Sequence, residues 1–185
     1  VGKDAGNAIS TGAHNTLIGH NSGGALTTGG YNVAVGSLTM DAQTTAQYNT
    51  ALGYAALTVN SSGQDNTALG HYAMVANTTG NYNTAVGSYA LDASTTAIGQ
   101  VAVGYNALTT SNGNYNIGIG YEALKDNTSG TGSVAIGVSA LENNTTGQNT
   151  SVGGNSMAAT TTGTSNTAVG YAALQDNTTA SNNTA

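Results

Sequence analysis

Cysteine, proline, tryptophan and phenylalanine are absent from these 185 residues. Without cysteine there is no disulfide framework and no thiolate metal site, and the redox compartment stays undecided. Average usage would supply about nine prolines. Their absence fits a chain in which nearly every backbone N–H is needed as a ladder donor, because proline removes that donor. Charge is scarce too: two basic and eight acidic residues, a formal net charge of −6 and 5% charged residues overall, against roughly 25% in typical soluble domains. So few cations exclude the footprint of a nucleic-acid binder and the polybasic patch of a membrane-surface binder. The acids are too dilute to form a tail. No apolar run reaches about 18 residues, so no membrane insertion is expected, and no signal-peptide pattern is visible.

Large apolar residues are also few. Leu, Ile, Val and Phe together make 29 of 185 residues, under the roughly 20% line that accompanies disorder. Disorder also requires high charge, which is missing, and the regular pattern of the chain argues against it.

What the chain does have is repetition. An aliphatic-Gly pair recurs with its glycine at Gly2, Gly19, Gly36, Gly53, Gly70, Gly87, Gly104, Gly120, Gly137, Gly153 and Gly170. The first six spacings are 17 residues and the last four are 16, 17, 16 and 17. The consensus is N-T-A-[VIL]-G-x-x-A-L-x-x-N-T-T-G-x-x, numbered here as positions 1 to 17 of a unit; Asn66 to Tyr82 is a good copy. The terminal Asn183-Thr184-Ala185, joined to Val1-Gly2, restores N-T-A-V-G. Residues 1–185 are therefore expected to be one continuous array and a window on a longer fibre.

A 17-residue unit is shorter than the common helical repeats, which run from about 33 residues, and its glycines interrupt a helix too often. Positions 2 and 4 are β-branched or aliphatic, as in Val33 with Val35, and alternation of this kind reads as a short strand. A second apolar point falls at position 9, for example Leu57, Leu91 and Met74, and Asn-Thr-Thr-Gly then turns the chain. Because one unit cannot bury its own apolar face, units must stack. The expected fold is an all-β parallel β-solenoid of about eleven 17-residue rungs, close to 50 Å long at the usual ~4.8 Å strand spacing. Positions 4 and 9 supply its aliphatic columns, position 1 an Asn ladder, and positions 13 and 14 Thr/Ser ladders. The core is thin, and small residues on both faces of the strand suggest that both are covered. A homotrimer of solenoids achieves this; a single flat solenoid is the alternative.

These N-T-A-x-G-x-x-A-L-x-x-N-T-T-G units resemble repeats of phage tail-fibre-like proteins and bacterial surface fibres. The A-[VI]-G core (Ala34-Val35-Gly36, Ala135-Ile136-Gly137, Ala168-Val169-Gly170) is also similar to the head repeat of trimeric autotransporter adhesins, whose usual repeat is shorter. That resemblance implies a left-handed β-roll with three chains side by side.

Candidate sites are sparse. His14, His20 and His71 are the only histidines. His20 and His71 share position 6 but stand three rungs apart, too far to hold one metal, and all three read as solvent-facing. The carboxylates are scattered, whereas paired-carboxylate catalysis needs two groups about 5–9 Å apart in a cleft. Neither a cofactor nor catalysis is expected. Asn-x-Ser/Thr triplets recur at position 12 (Asn60, Asn77, Asn127, Asn144 and Asn177) and off that column at Asn143, Asn149 and Asn182. They are glycan acceptors in a secretory setting, or simply good turns. Exposed tyrosines can stack on sugars or pack between turns. The function expected is a structural or adhesive extracellular fibre segment that self-associates as a trimer or continuous filament. An ice-binding solenoid using its Thr ladders and a glycan-binding solenoid using its tyrosines stand as alternatives.

Overall fold

The computed structural model describes residues 2–185. It contains ten three-residue strands: β1 (Thr16–Ile18), β2 (Val33–Val35), β3 (Thr50–Leu52), β4 (Thr67–Leu69), β5 (Thr84–Val86), β6 (Val101–Val103), β7 (Ile117–Ile119), β8 (Val134–Ile136), β9 (Thr150–Val152) and β10 (Thr167–Val169). They form one sheet in sequence order. Each strand pairs in parallel with the next, residue for residue, as in Thr67↔Thr84, Ala68↔Ala85 and Leu69↔Val86. The chain is thus a parallel β-solenoid with like positions superimposed. Ten strands replace the eleven expected rungs. The first anchor, at Gly2, lacks the N-T-A half of its unit, and the strand residues come from that half. At the other end Asn183-Thr184-Ala185 adds an isolated bridge, Thr167↔Thr184.

The two 16-residue units keep the strand register, Val101↔Ile117 and Val134↔Thr150. Seven residues separate anchor from position 12 in long and short units alike (Gly53 to Asn60, Gly104 to Ser111). The missing residue is therefore absorbed in the corner after position 12.

Within each strand the period of two places position 3 opposite positions 2 and 4. Position 3 points inward: Ala34, Ala51, Ala68, Ala85, Ala102, Ala135 and Ala168 are all fully buried. Position 4 therefore faces out, against expectation, and Ile18, Leu52, Val86, Ile136 and Val169 are exposed. The position-4 residues form a column, but on the outer surface. Alanine suits the narrow interior because position 9 already fills it. Leu57, Leu91, Leu108, Leu124, Leu141, Met40, Met74 and Met157 are buried there beside the position-8 alanines.

Position 9 requires an unusual backbone. Leu57 has φ 53° and Leu91 52°, with Ala55 at 53° and Tyr89 at 58° two residues earlier. A left-handed leucine costs roughly 1–2 kcal/mol, which full burial of its side chain offsets at roughly 1.5–3 kcal/mol. The left-handed residue also breaks the period of two, so that positions 8 and 9 both point inward. Its N–H is not lost: Leu57 donates to Ala73 O at 3.0 Å and Leu91 to Ala107 O at 3.1 Å, one rung on.

The anchor glycine turns the chain out of the strand. From Gly19 to Gly170 its φ lies between 133° and 142°, a region essentially restricted to glycine. A Cβ at Gly36, Gly53, Gly70 or Gly87 would overlap the carbonyl oxygen of the next anchor. Two separate constraints therefore make this column invariant across the rungs. Rung-to-rung backbone bonds run through strands and corners alike, for example Gly70 N to Leu52 O, Tyr72 N to Tyr54 O, Ala76 N to Asp92 O and Thr78 N to Thr95 O, all between 2.8 and 3.0 Å. A proline at any of these positions would remove a rung-to-rung bond.

Candidate functional surfaces

Position 1 builds the expected Asn ladder, and it lies inside. Asn49 Oδ1 accepts from the backbone N–H of Asn66 at 3.0 Å and from Asn66 Nδ2 at 3.2 Å. Asn66 Nδ2 also donates to Gly80 O at 2.8 Å. Each side chain thus ties its own rung to both neighbours, which satisfies amides that are costly to bury unpaired. The ladder changes character at Gln100, whose Nε2 reaches Ser111 O and Gly113 O, and at Ser133, whose Oγ accepts from Asn149 N.

Position 12 lies inside as well. Asn60, Asn77, Asn127 and Asn144 are at most 1% exposed. Asn60 Oδ1 accepts from Gly63 N at 2.9 Å while its Nδ2 donates to Gly63 O at 2.9 Å, and Asn127 does the same with Gly130. At these two positions the amide closes the corner from within; Asn77 keeps the Nδ2 bond to Gly80 O, and Asn144 Nδ2 turns to Thr146 Oγ1 and Thr161 O. The expectation of glycans at Asn60, Asn77, Asn127 and Asn144 does not carry over to the folded chain, because a sugar on a buried Nδ2 has no path to solvent. Asn177, on the last rung, makes the same corner bonds but is half-buried. Off the column, Asn149 is buried, whereas Asn143 and Asn182 are exposed.

The position-13 hydroxyls are engaged. Thr27 Oγ1 donates to Thr44 O, Ser61 Oγ to Thr78 O, Thr78 Oγ1 to Thr95 O and Thr161 Oγ1 to Thr178 O, at 3.0 to 3.1 Å. A hydroxyl that serves as a rung-to-rung clip is less free to organise surface water. The Thr side chains at position 2 differ: those of Thr50, Thr67 and Thr84 stand adjacent on β3, β4 and β5 on the outward sheet face. Among the described residues their hydroxyls have no side-chain hydrogen bond.

The aromatic residues form two series along the rod. In the first, His14 stacks on Tyr31 at 4.7 Å between ring centroids, and Tyr31 on Tyr48 at 5.2 Å with 14° between planes. In the second, Tyr54, His71, Tyr72, Tyr89, Tyr105 and Tyr121 run on through contacts of 4.3 to 6.0 Å. Most tyrosines therefore pack between turns. In the stacked pairs the ring faces are turned towards each other along the rod, which leaves edges and hydroxyls, rather than faces, for a sugar. The Tyr54 phenol beside Tyr72 raises its pKa above the ordinary phenol range. The Glu122 charge does the same to Tyr121. His14, His20 and His71 are all exposed, as expected.

Charged chemistry is local. Lys125 Nζ lies 3.6 Å from Glu122 Oε1 and 3.7 Å from Glu142 Oε1, bridging two rungs. Desolvation lowers its pKa, but Glu122, Asp126 and Glu142 outweigh that and hold it above the ordinary value. A shallow cavity of about 320 Å³ near the first rungs is lined by Asn7, Asn21, Gly24, Ala25, Asp41 and Ala42, with Asp41 as its one carboxylate. Among the described residues no group of three His, Asp or Glu is placed to hold a metal, and no helix is long and apolar enough to cross a membrane.

The surface that sequence reasoning missed is the sheet face itself. Position 4 contributes Ile18, Leu52, Val86, Ile136 and Val169 as exposed side chains, and position 2 adds exposed Val33. No charged residue occupies position 2 or 4 of any strand from β1 to β10. Strict alternation was the available signal: if alanine is the inward residue, its aliphatic neighbours cannot be.

These features define a class, the tandem-repeat parallel β-solenoid with a polar ladder inside and an uncharged sheet face outside. In comparisons with known proteins no family model matches the chain, and neither a curated protein nor a solved structure does.

Proposed function

We propose that this chain is a structural or adhesive segment of an extracellular fibre, and that copies of it associate side by side as a homotrimer through the outward sheet face. The observation that carries this reading is the outward aliphatic column running from Ile18 on β1 to Val169 on β10, in which Ile18, Leu52, Val86, Ile136 and Val169 are exposed and the other five half-buried. Ten strands at ~4.8 Å and three residues at ~3.3 Å give a strip of about 50 by 10 Å, or roughly 500 Å². That is at the upper end of what a monomer exposes as one patch and short of the roughly 800 Å² per partner of a standard interface. Tyr31, Tyr48, Tyr82 and Tyr115, exposed at position 17 just before the strand, widen it. The strands themselves carry no charge and Asp65 is the one acid in the position-17 column, so identical faces meet with little repulsion even though the chain is net −6. A fibre segment also suits a surface with only Lys3 and Lys125 as sites for trypsin-like cleavage.

Light scattering coupled to size exclusion tests the proposal. The expected mass is three times the 18.1 kDa chain. A variant carrying Leu52→Lys, Val86→Lys and Ile136→Lys is expected at the single-chain mass with an unchanged far-UV spectrum, since all three side chains point outward. A wild-type chain that stays at single-chain mass at high concentration ends the proposal.

A second reading uses the same face. The adjacent hydroxyls of Thr50, Thr67 and Thr84 beside Leu52, Leu69 and Val86 favour ordering of water at an ice surface, on position 2 rather than on the position-13 ladder. Thermal hysteresis that Thr67→Lys abolishes, in a chain of single-chain mass, selects this reading over self-association.

A further inference from the structure

From the ring geometry we infer that Tyr31 with Tyr48, and Tyr105 with Tyr121, are sites of oxidative dityrosine formation between adjacent rungs. In each pair the rings are nearly parallel, with centroids 5.2 and 5.4 Å apart and planes 14° and 15° from parallel. All four residues are between 44% and 53% exposed, so an oxidant reaches them. Each pair occupies one column of the repeat, so the two backbones are held one strand spacing apart whatever the side chains do. The chain has no cysteine and two lysines but ten tyrosines. Tyrosine is therefore its most abundant source of a covalent rung-to-rung link.

The reaction needs a one-electron oxidant, for which a peroxidase with hydrogen peroxide is the chemical class. The oxidant removes one electron and one proton from each phenol. The two phenoxyl radicals couple through their ortho ring carbons and form one carbon–carbon bond. The hydrogen on each coupled carbon then moves to the oxygen, which restores both phenols. The pair has lost two hydrogen atoms in all, and one hydrogen peroxide has been reduced to two waters. Preorganised coupling of this kind outcompetes random encounter because its partner is at high effective concentration.

The protein supplies its own controls. Tyr82, Tyr115 and Tyr171 are 65%, 65% and 80% exposed, more than the paired rings, and no aromatic ring contact is found for them among the described residues. Exposure alone would make those three the reactive tyrosines, whereas geometry selects the pairs. The experiment treats an equal mixture of isotope-labelled and unlabelled folded protein with peroxidase and hydrogen peroxide, digests it with a protease of broad specificity, and maps linked peptides by tandem mass spectrometry. Links joining Tyr31 to Tyr48 and Tyr105 to Tyr121 are expected within single chains. They should exceed links through Tyr82, Tyr115 or Tyr171 ~10-fold or more. Urea-unfolded protein should lose this preference, and Tyr48→Phe should delete the first link while leaving the second. Mixed-isotope links predominating, links concentrated at the three unpaired tyrosines, or the same distribution after unfolding would each overturn the inference. Because Tyr31, Tyr48, Tyr82 and Tyr115 border the proposed association face, the experiment is run on the Leu52→Lys, Val86→Lys, Ile136→Lys variant at single-chain mass, which leaves all ten tyrosines in place.

Discussion

The first two rungs and those that follow fill the same cross-section with different residues. From Gly36 onward a rung places a small residue at position 3, Leu or Met at position 9, and a polar side chain, most often Asn, at position 12. The first two copies have Gly6 and Gly23 at position 9, with φ 61° in both, the same left-handed backbone as Leu57. Leu17 takes position 3 there, and Ile9 and Leu26 take position 12. A Cβ on Gly23 would come within 2.9 Å of Leu17 Cδ1, and one on Gly6 within 2.8 Å of the same atom. Leu17 thus occupies the volume that the missing position-9 side chains leave. The interior is conserved as a volume while its residues change places, as close packing demands. The exchange replaces the Asn60-type corner lock with apolar filling, since Leu26 is buried where Asn60 would bond Gly63.

This contrast can be broken at its strongest point. Leu91 is 1% exposed in the middle of the leucine column, so Leu91→Ala is expected to cost about 3 kcal/mol in a urea titration. Leu17→Ala, in a half-buried side chain near the end, is expected to cost about 1 kcal/mol. Because solenoid stability is approximately a sum over neighbouring rungs, hydrogen exchange should quicken only around the first two rungs in the second variant. Equal costs would mean that the two regions are not packed differently. A sharper probe is Gly23→Leu, which restores the consensus but drives a side chain into Leu17. It should destabilise by about 1–3 kcal/mol, and adding Leu17→Ala should recover most of that loss. A double-mutant cycle reads the coupling, and additive effects would contradict the shared volume.

The smallest effect concerns charge. Position 10 holds Asn7 and Gly24 in the first two copies but Asp92 in a middle rung. Burial raises the pKa of Asp92 above the usual carboxylate range, opposed by the backbone N–H groups of Ala93 and Asp92 itself. The folded state therefore binds this proton more tightly than the unfolded state. Its contribution is fully present below the unfolded carboxylate pKa and is lost as pH rises through the raised folded value. Asp92→Asn is expected to stabilise by about 0.5 kcal/mol or less at neutral pH, after discounting for partial exposure. The gain should vanish in acid, which thermal melts at two pH values would check.

Much of the fold was legible because a repeat multiplies weak signals. One Asn-Thr-Ala-Val-Gly says little, but eleven anchors at 16 or 17 residues admit few architectures, and the absence of proline pointed to a ladder involving nearly every residue. The left-handed backbone at Leu57 or Met74 was not legible. Leucine and methionine carry no preference for positive φ, so only the stacked neighbours reveal why they adopt it. At position 12 the turn was legible but the direction of its amide was not, for a related reason. Asn-Thr-Thr-Gly makes the same turn whether its amide points into the coil or out to solvent, and the choice depends on a carbonyl three residues on. Tyr31 and Tyr48 share position 17, so packing between turns was one reading open to them from the sequence, whereas the cross-contact of Tyr54 with Tyr72 joins two different positions and needed coordinates.

By itself, then, the sequence determined the period, the parallel stacking and the identity of each column, because those follow from like residues returning at a constant interval. Only the tertiary structure decided which columns face inward. That choice turns on the width of the coil: an interior already occupied by leucine and asparagine has room at the strand for a small residue, most often alanine, and the larger aliphatic residues are left on the surface.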